Sequence, residues 1–205
     1  MRQVTGNNSL PANVNKVSVR VVSGGHSFCV DGLPKKAFSD DVTVEFEVVT
    51  LKTILVPTEV FEAENAEKYL AVAGVPCSAD EEAVCITDGW RTAVMAVSTE
   101  CLAAIDETFG ARAVFTSPLL HRHDVSGYKL HIRTIGEVSC FKLYADSTLR
   151  FAEILPTAGA DDVLYYVQGL DAQYGLKAYH IYIYGDGAEE TSKVLKRYFK
   201  GVRCE

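Results

Sequence analysis

The fold of this chain is decided by the stretch Ala178-Tyr-His-Ile-Tyr-Ile-Tyr-Gly-Asp-Gly-Ala-Glu-Glu-Thr-Ser-Lys-Val-Leu-Lys-Arg-Tyr-Phe199. Residues 179–184 are apolar and aromatic without alternation, a pattern typical of a strand that is covered on both faces. Gly185-Asp186-Gly187 breaks this strand. Residues able to face a core then recur at helical spacing: Thr191, Val194, Leu195, Tyr198 and Phe199. The stretch predicts a strand, a glycine turn and a helix.

The glycine turn admits two interpretations. Asp186 is placed to cap the helix, with Glu189 three residues later as the reciprocal partner of a capping box. Free backbone N–H groups and the helix dipole point at such a turn, so Gly185, Asp186 and Gly187 are candidate residues for binding a phosphate or a nucleotide. Strand, glycine turn and helix also form the ordinary connection between elements of an α/β domain. Both interpretations stay open at this point.

The composition is that of an ordinary soluble globular protein. The chain has 205 residues, of which 48% are hydrophobic and 23% charged, enough for one large domain or two small lobes. No apolar run is long enough to cross a membrane. Residues 1–15 are polar and lack the apolar core of a signal peptide, so we predict a disordered leader and a cytoplasmic location. The net charge of −7 argues against a nucleic-acid partner.

The six cysteines do not form a recognisable metal or disulfide pattern. They are Cys29, Cys77, Cys85, Cys101, Cys140 and Cys204. No two of them are spaced as Cys-x-x-Cys, and most lie inside apolar patterns. We therefore expect buried, reduced thiols.

The first half, residues 16–120, predicts strands followed by helices. Residues 17–30 alternate around Ser23-Gly24-Gly25 and predict a β-hairpin. Residues 42–48 alternate most regularly and predict an antiparallel strand with one face in solvent. A short strand at 53–56 is followed by a predicted helix at 58–72. A second hairpin around Asp88-Gly89, a helix capped by Ser98 or Thr99, and a strand at 111–115 complete the half.

The second half, residues 121–205, repeats this plan. Strands at 129–133 and 138–144 form a hairpin that turns near Ile135-Gly136, and residues 149–155 add a third strand. A helical stripe follows on Val163, Val167, Leu170 and Tyr174, closed by Gly175. The opening strand and helix come next, and Val202 begins a last strand.

Each half thus places antiparallel strands before parallel βα crossings. This is the ribonuclease-H-like arrangement, and two tandem copies with mixed sheets give the actin-like ATPase fold. The expected class is α/β with some α+β character. The predicted domains are a leader at 1–15, an N-terminal lobe at 16–120 and a C-terminal lobe at 121–205.

Four strings in the chain resemble a family of uncharacterised Bacteroidetes proteins. They are Ser18-Val-Arg-Val-Val-Ser-Gly-Gly-His-Ser-Phe-Cys-Val30, Thr53-Ile-Leu-Val-Pro-Thr-Glu-Val-Phe61, Phe115-Thr-Ser-Pro-Leu-Leu120 and His180-Ile-Tyr-Ile-Tyr-Gly-Asp186. The family is known as a domain of unknown function with an actin-like ATPase fold. The resemblance implies that fold from Val17 to the C-terminus. It supplies no catalytic residues.

An ATPase of this fold needs phosphate-binding turns and a carboxylate for Mg²⁺. Gly24 and Gly25 are candidates for the first phosphate turn, Gly136 for the second, and Gly185-Asp186-Gly187 resembles the adenosine turn. Neither phosphate turn carries the expected acid, since the first reads Val-Val-Ser-Gly-Gly-His and the second places Arg133 near that position. Glu137 or Asp186 are the possible substitutes. A nuclease would need converging carboxylates, and the strands carry valine, arginine and serine instead.

Three other features have both functional and structural interpretations. His121 and His123 could bind a metal if they lie on a strand, although an exposed linker is the simpler interpretation. His26 and Cys29 point to opposite faces of a strand, which argues against a catalytic pair. Trp90 is either a partner contact or a packed side chain, and we expect packing.

We conclude from the sequence that the chain is a non-catalytic binding or scaffold module with an unidentified protein partner. We expect no catalytic residues, no metal site and no cofactor, and no nucleic-acid or membrane partner. The alternative is a divergent nucleotide-binding protein or slow ATPase that uses Gly185-Asp186-Gly187 with ATP and Mg²⁺.

Overall fold

The computed structural model describes residues 2–3, 16–23, 42–123 and 125–205. The chain divides into two compact units, Met1–His121 and Arg122–Glu205. Each unit is described by itself below. None of the helices in these ranges combines the length and the apolar character that crossing a membrane requires.

In its described residues, the first unit contains two sheets and two α-helices. In chain order its elements are β1 (Arg2–Gln3), β2 (Lys16–Ser23), β3 (Thr43–Thr50), β4 (Thr53–Pro57), α1 (Ala66–Val72), β5 (Glu81–Thr87), β6 (Arg91–Ser98), α2 (Thr99–Phe109) and β7 (Ala113–Thr116). One sheet has the order β1-β5-β6-β4, and the other has the order β2-β3-β7. The pairs β5–β6 and β4–β6 are antiparallel, whereas β3 is parallel to both β2 and β7.

The main core of this unit is built from alternate residues of its strands and one stripe of α2. Val44, Phe46 and Val48 of β3 are fully buried against Ile105 and Phe109 of α2 and their neighbours. The Phe46 ring lies edge-on to Phe109 at a centroid distance of 5.2 Å. The helix begins as predicted, because the Ser98 hydroxyl accepts a hydrogen bond from the Cys101 N–H.

The predicted orientation of the strand at 42–48 is wrong. Its alternating burial is correct, since Val44, Phe46 and Val48 are buried while Thr43, Glu45 and Glu47 are half-buried. Both neighbours of β3, however, run parallel to it. Alternation reports which face of a strand is buried, and it carries no information about the direction of the adjacent strands. The return strand of the hairpin predicted at 17–30 lies outside the described residues.

The helix predicted at 58–72 is mostly wrong. The segment forms two short 3-10 turns, Thr58–Val60 and Ala63–Asn65, and only Ala66–Val72 is α-helical. Phe61 and Glu62 between the turns are extended. The Tyr69 hydroxyl stabilises this break, because it donates to the Val60 carbonyl at 3.0 Å and accepts from the Glu62 N–H at 3.2 Å. The Tyr69 side chain, seven residues after Glu62 and nine after Val60, thus replaces the helical hydrogen bonds of these two residues.

The described residues of the second unit form one five-stranded sheet and two α-helices. Its elements are β8 (Tyr128–Ile135), β9 (Val138–Ala145), β10 (Thr148–Pro156), α3 (Ala160–Tyr174), β11 (His180–Gly185), α4 (Ala188–Leu195) and β12 (Val202–Cys204). The sheet order is β10-β9-β8-β11-β12. The first three strands are antiparallel, and β11 is parallel to both β8 and β12. This matches the antiparallel-then-parallel order predicted for the second half.

The core of the second unit joins one face of this sheet to the two helices. Leu130 and Ile132 of β8 and Phe141 and Leu143 of β9 are fully buried there with Val163, Val167 and Leu170 of α3. The helical stripe predicted for α3 is therefore confirmed. The predicted coverage of β11 on both faces is only half correct, because Ile181 and Ile183 are buried whereas Tyr182 and Tyr184 are half-buried.

Candidate functional site

The glycine turn lies at the end of β11, where this strand runs beside β8. The two strands pair in parallel register as far as Gly185 and Thr134. A Cβ atom added at Gly185 would lie 2.1 Å from the Thr134 carbonyl oxygen, and the residue has a φ of +99°. Only glycine combines that backbone conformation with so close an approach.

Hydrogen bonds tie this turn to the β8–β9 turn. The Asp186 N–H donates to the Thr134 carbonyl at 3.1 Å. The buried Thr134 hydroxyl contacts the carbonyl oxygens of Tyr184, at 3.2 Å, and Asp186. The Asp186 carboxylate accepts a hydrogen bond of 2.9 Å from the Gly136 N–H. The structure therefore brings together Gly185, Asp186 and Gly136, which the sequence had predicted as parts of separate loops.

The predicted capping box of Asp186 and Glu189 is wrong. Helix α4 begins at Ala188 with Gly187 as its N-cap, and no side chain caps it. Asp186 therefore lies one residue too early to reach the first helical N–H groups, and its carboxylate bonds Gly136 instead. Thr134 was not predicted, because a threonine inside a β-hairpin gives no sequence signal for a second strand that approaches it from fifty residues away.

A small pocket of about 230 Å³ lies beside these turns. The N-terminus of α3, from Gly159, and the N-terminus of α4, from Gly187, both contribute to its wall. Among the described residues that line it are Asp186 and Glu190, but no lysine, arginine or histidine. At the α3 end, the Asp162 carboxylate already accepts a hydrogen bond of 2.8 Å from the Ala158 N–H. The helix dipoles favour an anion here, whereas the two carboxylates oppose one.

Gly24 and Gly25, the candidates for the first phosphate turn, lie outside the described residues, as do His26 and Cys29. Gly136 occupies the β8–β9 turn with a φ of +56°.

The histidines around residue 121 do not lie on a strand, so the geometry considered for a metal pair is absent there. His121 is exposed. His123 is half-buried and stacks on His131 at a centroid distance of 4.2 Å, and His131 stacks in turn on Tyr182 at 5.0 Å. The Tyr184 hydroxyl lies 2.9 Å from His123 Nε2. Within the described ranges, no group of three or more His, Cys, Asp or Glu side chains is arranged to hold a metal ion.

The cysteines largely follow the sequence prediction. Cys85, Cys101 and Cys140 are buried, Cys77 is half-buried, and Cys204 is exposed, contrary to expectation. Burial raises the pKa of Cys85 to about 11 and, together with Glu100, the pKa of Cys101 to about 12. Neither thiol forms the nucleophilic thiolate near neutral pH.

Trp90 is exposed rather than packed. It lies at the tip of the β5–β6 hairpin with 76% of its surface in solvent. The Asp88 carboxylate holds this tip, because it accepts hydrogen bonds from the Trp90 N–H at 3.0 Å, the Arg91 N–H at 2.8 Å and the Arg91 guanidinium at 2.7 Å.

Asp88→Asn is expected to lower the free energy of unfolding by about 1.5–3 kcal/mol near neutral pH, since a charged acceptor with three donors is lost. Burial raises the pKa of Asp88, but the hydrogen bonds from Arg91 and Trp90 outweigh it and hold that pKa below its ordinary value. A depressed native pKa stabilises the protein above the unfolded pKa and loses this effect as the pH falls through the native pKa. Urea unfolding of the wild type and of Asp88→Asn, measured from about pH 7 to about pH 3, gives the free energy of unfolding of each. The difference between the two free energies should shrink only at the acidic end of this range. A difference that does not vary with pH would contradict this assignment.

The arrangement of strands and helices described above is similar to the actin-like ATPase fold. Among solved structures, the chain is similar to a Bacteroides thetaiotaomicron VPI-5482 protein described as having an actin-like ATPase fold and unknown function. The two share 14% sequence identity with a TM-score of 0.66, over 79% of this chain and 68% of that one. The resemblance inferred from the four sequence strings is thereby confirmed at the level of the fold.

Two further structures are more distant. One is a PilM-PilN type IV pilus biogenesis complex, with 15% identity and a TM-score of 0.48 over 79% of this chain and 68% of that one. The other is the cytoplasmic domain of EpsL, an inner membrane component of the type II secretion system of Vibrio cholerae, with 12% identity and a TM-score of 0.40 over 81% and 66%. No protein-family model matches the sequence, and no curated protein does.

Proposed function

We propose that this protein is a non-catalytic binding module that uses an actin-like fold to hold a protein partner in the cytoplasm. Its architecture would be two ribonuclease-H-like lobes, 16–120 and 121–205, preceded by residues 1–15, which are not wholly a disordered leader because Arg2–Gln3 pair with β5. One observation carries the proposal. The Gly136 N–H, which a phosphate would need in the second turn, already donates to the Asp186 carboxylate.

The electrostatics of the adjoining pocket support the same proposal. A nucleotide phosphate brings negative charge that must be balanced by a metal, a cation or several free N–H groups. Asp186 and Glu190 line the pocket without a cationic side chain among its described residues. Its volume of about 230 Å³ is also below the range of about 300–1,000 Å³ usual for ligand pockets. Without a metal ion, these residues of the second unit would leave the charge of a nucleotide phosphate unbalanced.

The net charge of −7 supports a partner that is neither nucleic acid nor an anionic membrane surface. The exposed Trp90 supports a protein partner, since tryptophan is enriched among the side chains that dominate protein interfaces.

The proposal predicts that Mg-ATP, Mg-ADP and Mg-GTP at millimolar concentration will not stabilise the full chain. The measurement is thermal unfolding combined with titration calorimetry. A nucleotide present at a hundred times its dissociation constant would stabilise the folded state by about 2.7 kcal/mol. A stabilisation of that size, abolished by Gly187→Leu, would overturn the proposal in favour of a divergent nucleotide-binding protein or slow ATPase that uses Gly185-Asp186-Gly187.

A further inference from the structure

Strand β10 forms an open edge of the second unit's sheet. It is nine residues long and pairs with β9, with no strand among the described residues on its other side. An edge strand leaves every second N–H and C=O group unpaired, and an added strand can use these groups. Natural proteins usually protect such edges with very short strands or several charges. β10 is longer than the usual five or six residues and carries two charges, Arg150 and Glu153. Its register shift lies between Leu149 and Phe151 and its proline is at position 156, so residues 151–155 between them pair regularly with β9 and present a regular edge.

A groove of about 600 Å³ runs between β10 and the outer flank of α3. Its apolar wall comes from Phe151 and Leu155 on the strand and from Tyr165 and Tyr166 on the helix. Tyr165 is 71% exposed, and its ring lies edge-on to that of Tyr166 at a centroid distance of 5.3 Å. The volume is within the range of ordinary ligand sites. A segment added to β10 would cover these aromatic rings with every second side chain.

Gly169 lines this groove from the middle of α3. Glycine inside a helix costs about 0.5–1 kcal/mol relative to alanine. The fold does not require it, because a Cβ atom at this position would meet nothing within 4 Å. The missing side chain leaves room beside the helix backbone, and the chain itself does not fill that room. This open space gives an approaching molecule access to the helix backbone at Gly169.

The groove also has a charge. Among its described lining residues, Glu153 alone is charged. It lies on the same face of β10 as Phe151 and Leu155; it is exposed, and desolvation by its neighbours raises the pKa of its carboxyl. An occupant with a lysine or arginine at the matching position would compensate this carboxylate.

The same strand of a second copy fits this site poorly. Residues opposed in an antiparallel pair share a face of the sheet. In a two-fold pairing of β10 with itself, Glu153 would therefore face Phe151, Leu155 or Glu153 of the other copy, each of which leaves the carboxylate uncompensated. The charge favours a different chain.

We propose that an extended segment of a protein partner adds to the β10 edge, placing an apolar side chain beside Gly169 and a lysine or arginine beside Glu153. This deepens the proposed function and rests on its claim that the protein holds a protein partner. The backbone of the segment pairs with β10, and its alternate side chains face the α3 flank. The basic residue provides specificity, while the tyrosine rings and the space at Gly169 provide the contact area.

The test uses a display library of random peptides about ten residues long, the length of a long strand, selected on the full chain. Selected peptides are synthesised, and their affinities are measured for the wild type, Gly169→Leu, Glu153→Gln and Ala103→Leu. Leucine has a higher helix propensity than glycine, so Gly169→Leu should fold at least as well as the wild type. Ala103 is an exposed residue of α2, in the first unit, that does not line the groove, and it provides the control.

Selected peptides should combine alternating apolar residues with a lysine or arginine, and they should slow amide hydrogen exchange in β10. Their affinity should fall by about tenfold or more in Gly169→Leu and in Glu153→Gln, while Ala103→Leu leaves it unchanged. The docking proposal would be overturned by a library that yields no binders, by binders without a basic residue, or by binders that do not distinguish Gly169→Leu from the wild type. None of these results would involve nucleotides, so the docking proposal can fail while the nucleotide test above still stands.

Discussion

Gly185→Ala is expected to lower the free energy of unfolding by about 3–5 kcal/mol, or to prevent folding of the second unit. Two costs add. The new methyl group would lie 2.1 Å from the Thr134 carbonyl oxygen, so β8 and β11 would have to separate at their ends. The φ of +99° is also one that a residue with a side chain rarely adopts. Separation would weaken the bonds that Asp186 makes to Thr134 and Gly136.

Gly187→Ala is the matched control for this variant. Gly187 also has a positive φ, of +66°, but a Cβ atom there meets nothing within 4 Å. Only the backbone cost of about 1–2 kcal/mol then applies. Urea unfolding followed by circular dichroism should rank Gly185→Ala as the more damaging of the two by a clear margin. Equal losses would mean that the close approach to Thr134 contributes nothing to stability.

This contrast separates the structural role of the turn from a role in binding. A glycine turn kept for a ligand needs an open backbone, whereas Gly185 is required by a neighbouring strand of the same chain. The Asp186 carboxylate likewise bonds a backbone N–H of the protein. In both cases a group that could have met a phosphate instead stabilises the junction of two strands.

The local elements that could be predicted from the sequence are those determined by nearby residues. The hairpins around Asp88-Gly89 and Gly136 follow from positive-φ turn residues between alternating strands. The start of α2 follows from Ser98, and the end of α3 from Gly175, which has a φ of +66°. In each of these cases the deciding residue lies within a few positions of the feature that it determines.

The features that could not be predicted depend on residues distant in the sequence. The direction of β3 is set by β2 and β7, and the break at Phe61 by the hydroxyl of Tyr69. The candidate site shows the same limit, because Thr134 meets Asp186 only after β11 pairs with β8. Gly169 did have a local signal, a glycine inside a predicted helical stripe. The sequence did not show, however, that the space beside Gly169 is open, and the proposed docking site depends on that space.

Phe46→Ala is expected to cost the first unit about 3–5 kcal/mol. Phe46 is fully buried at the centre of β3. The centroid of its ring lies 5.2 Å from that of Phe109 and 5.9 Å from that of Phe115. The truncation leaves a cavity between β3, α2 and β7 that these rings cannot fill, because each is held by its own backbone. Urea unfolding monitored by circular dichroism measures the loss.

Phe61→Ala provides the control, since the same atoms are removed from a half-buried position. The centroids of the Phe61 and Tyr69 rings lie 5.9 Å apart. Water can enter there and the loop can adjust, so we expect a loss of about 1–2 kcal/mol. A Phe46→Ala loss no greater than that of Phe61→Ala would contradict the placement of β3 in the core. That placement follows from the alternation of Val44, Phe46 and Val48 alone, whichever way the neighbouring strands run. The variant pair therefore tests which face of β3 is buried, independently of strand direction.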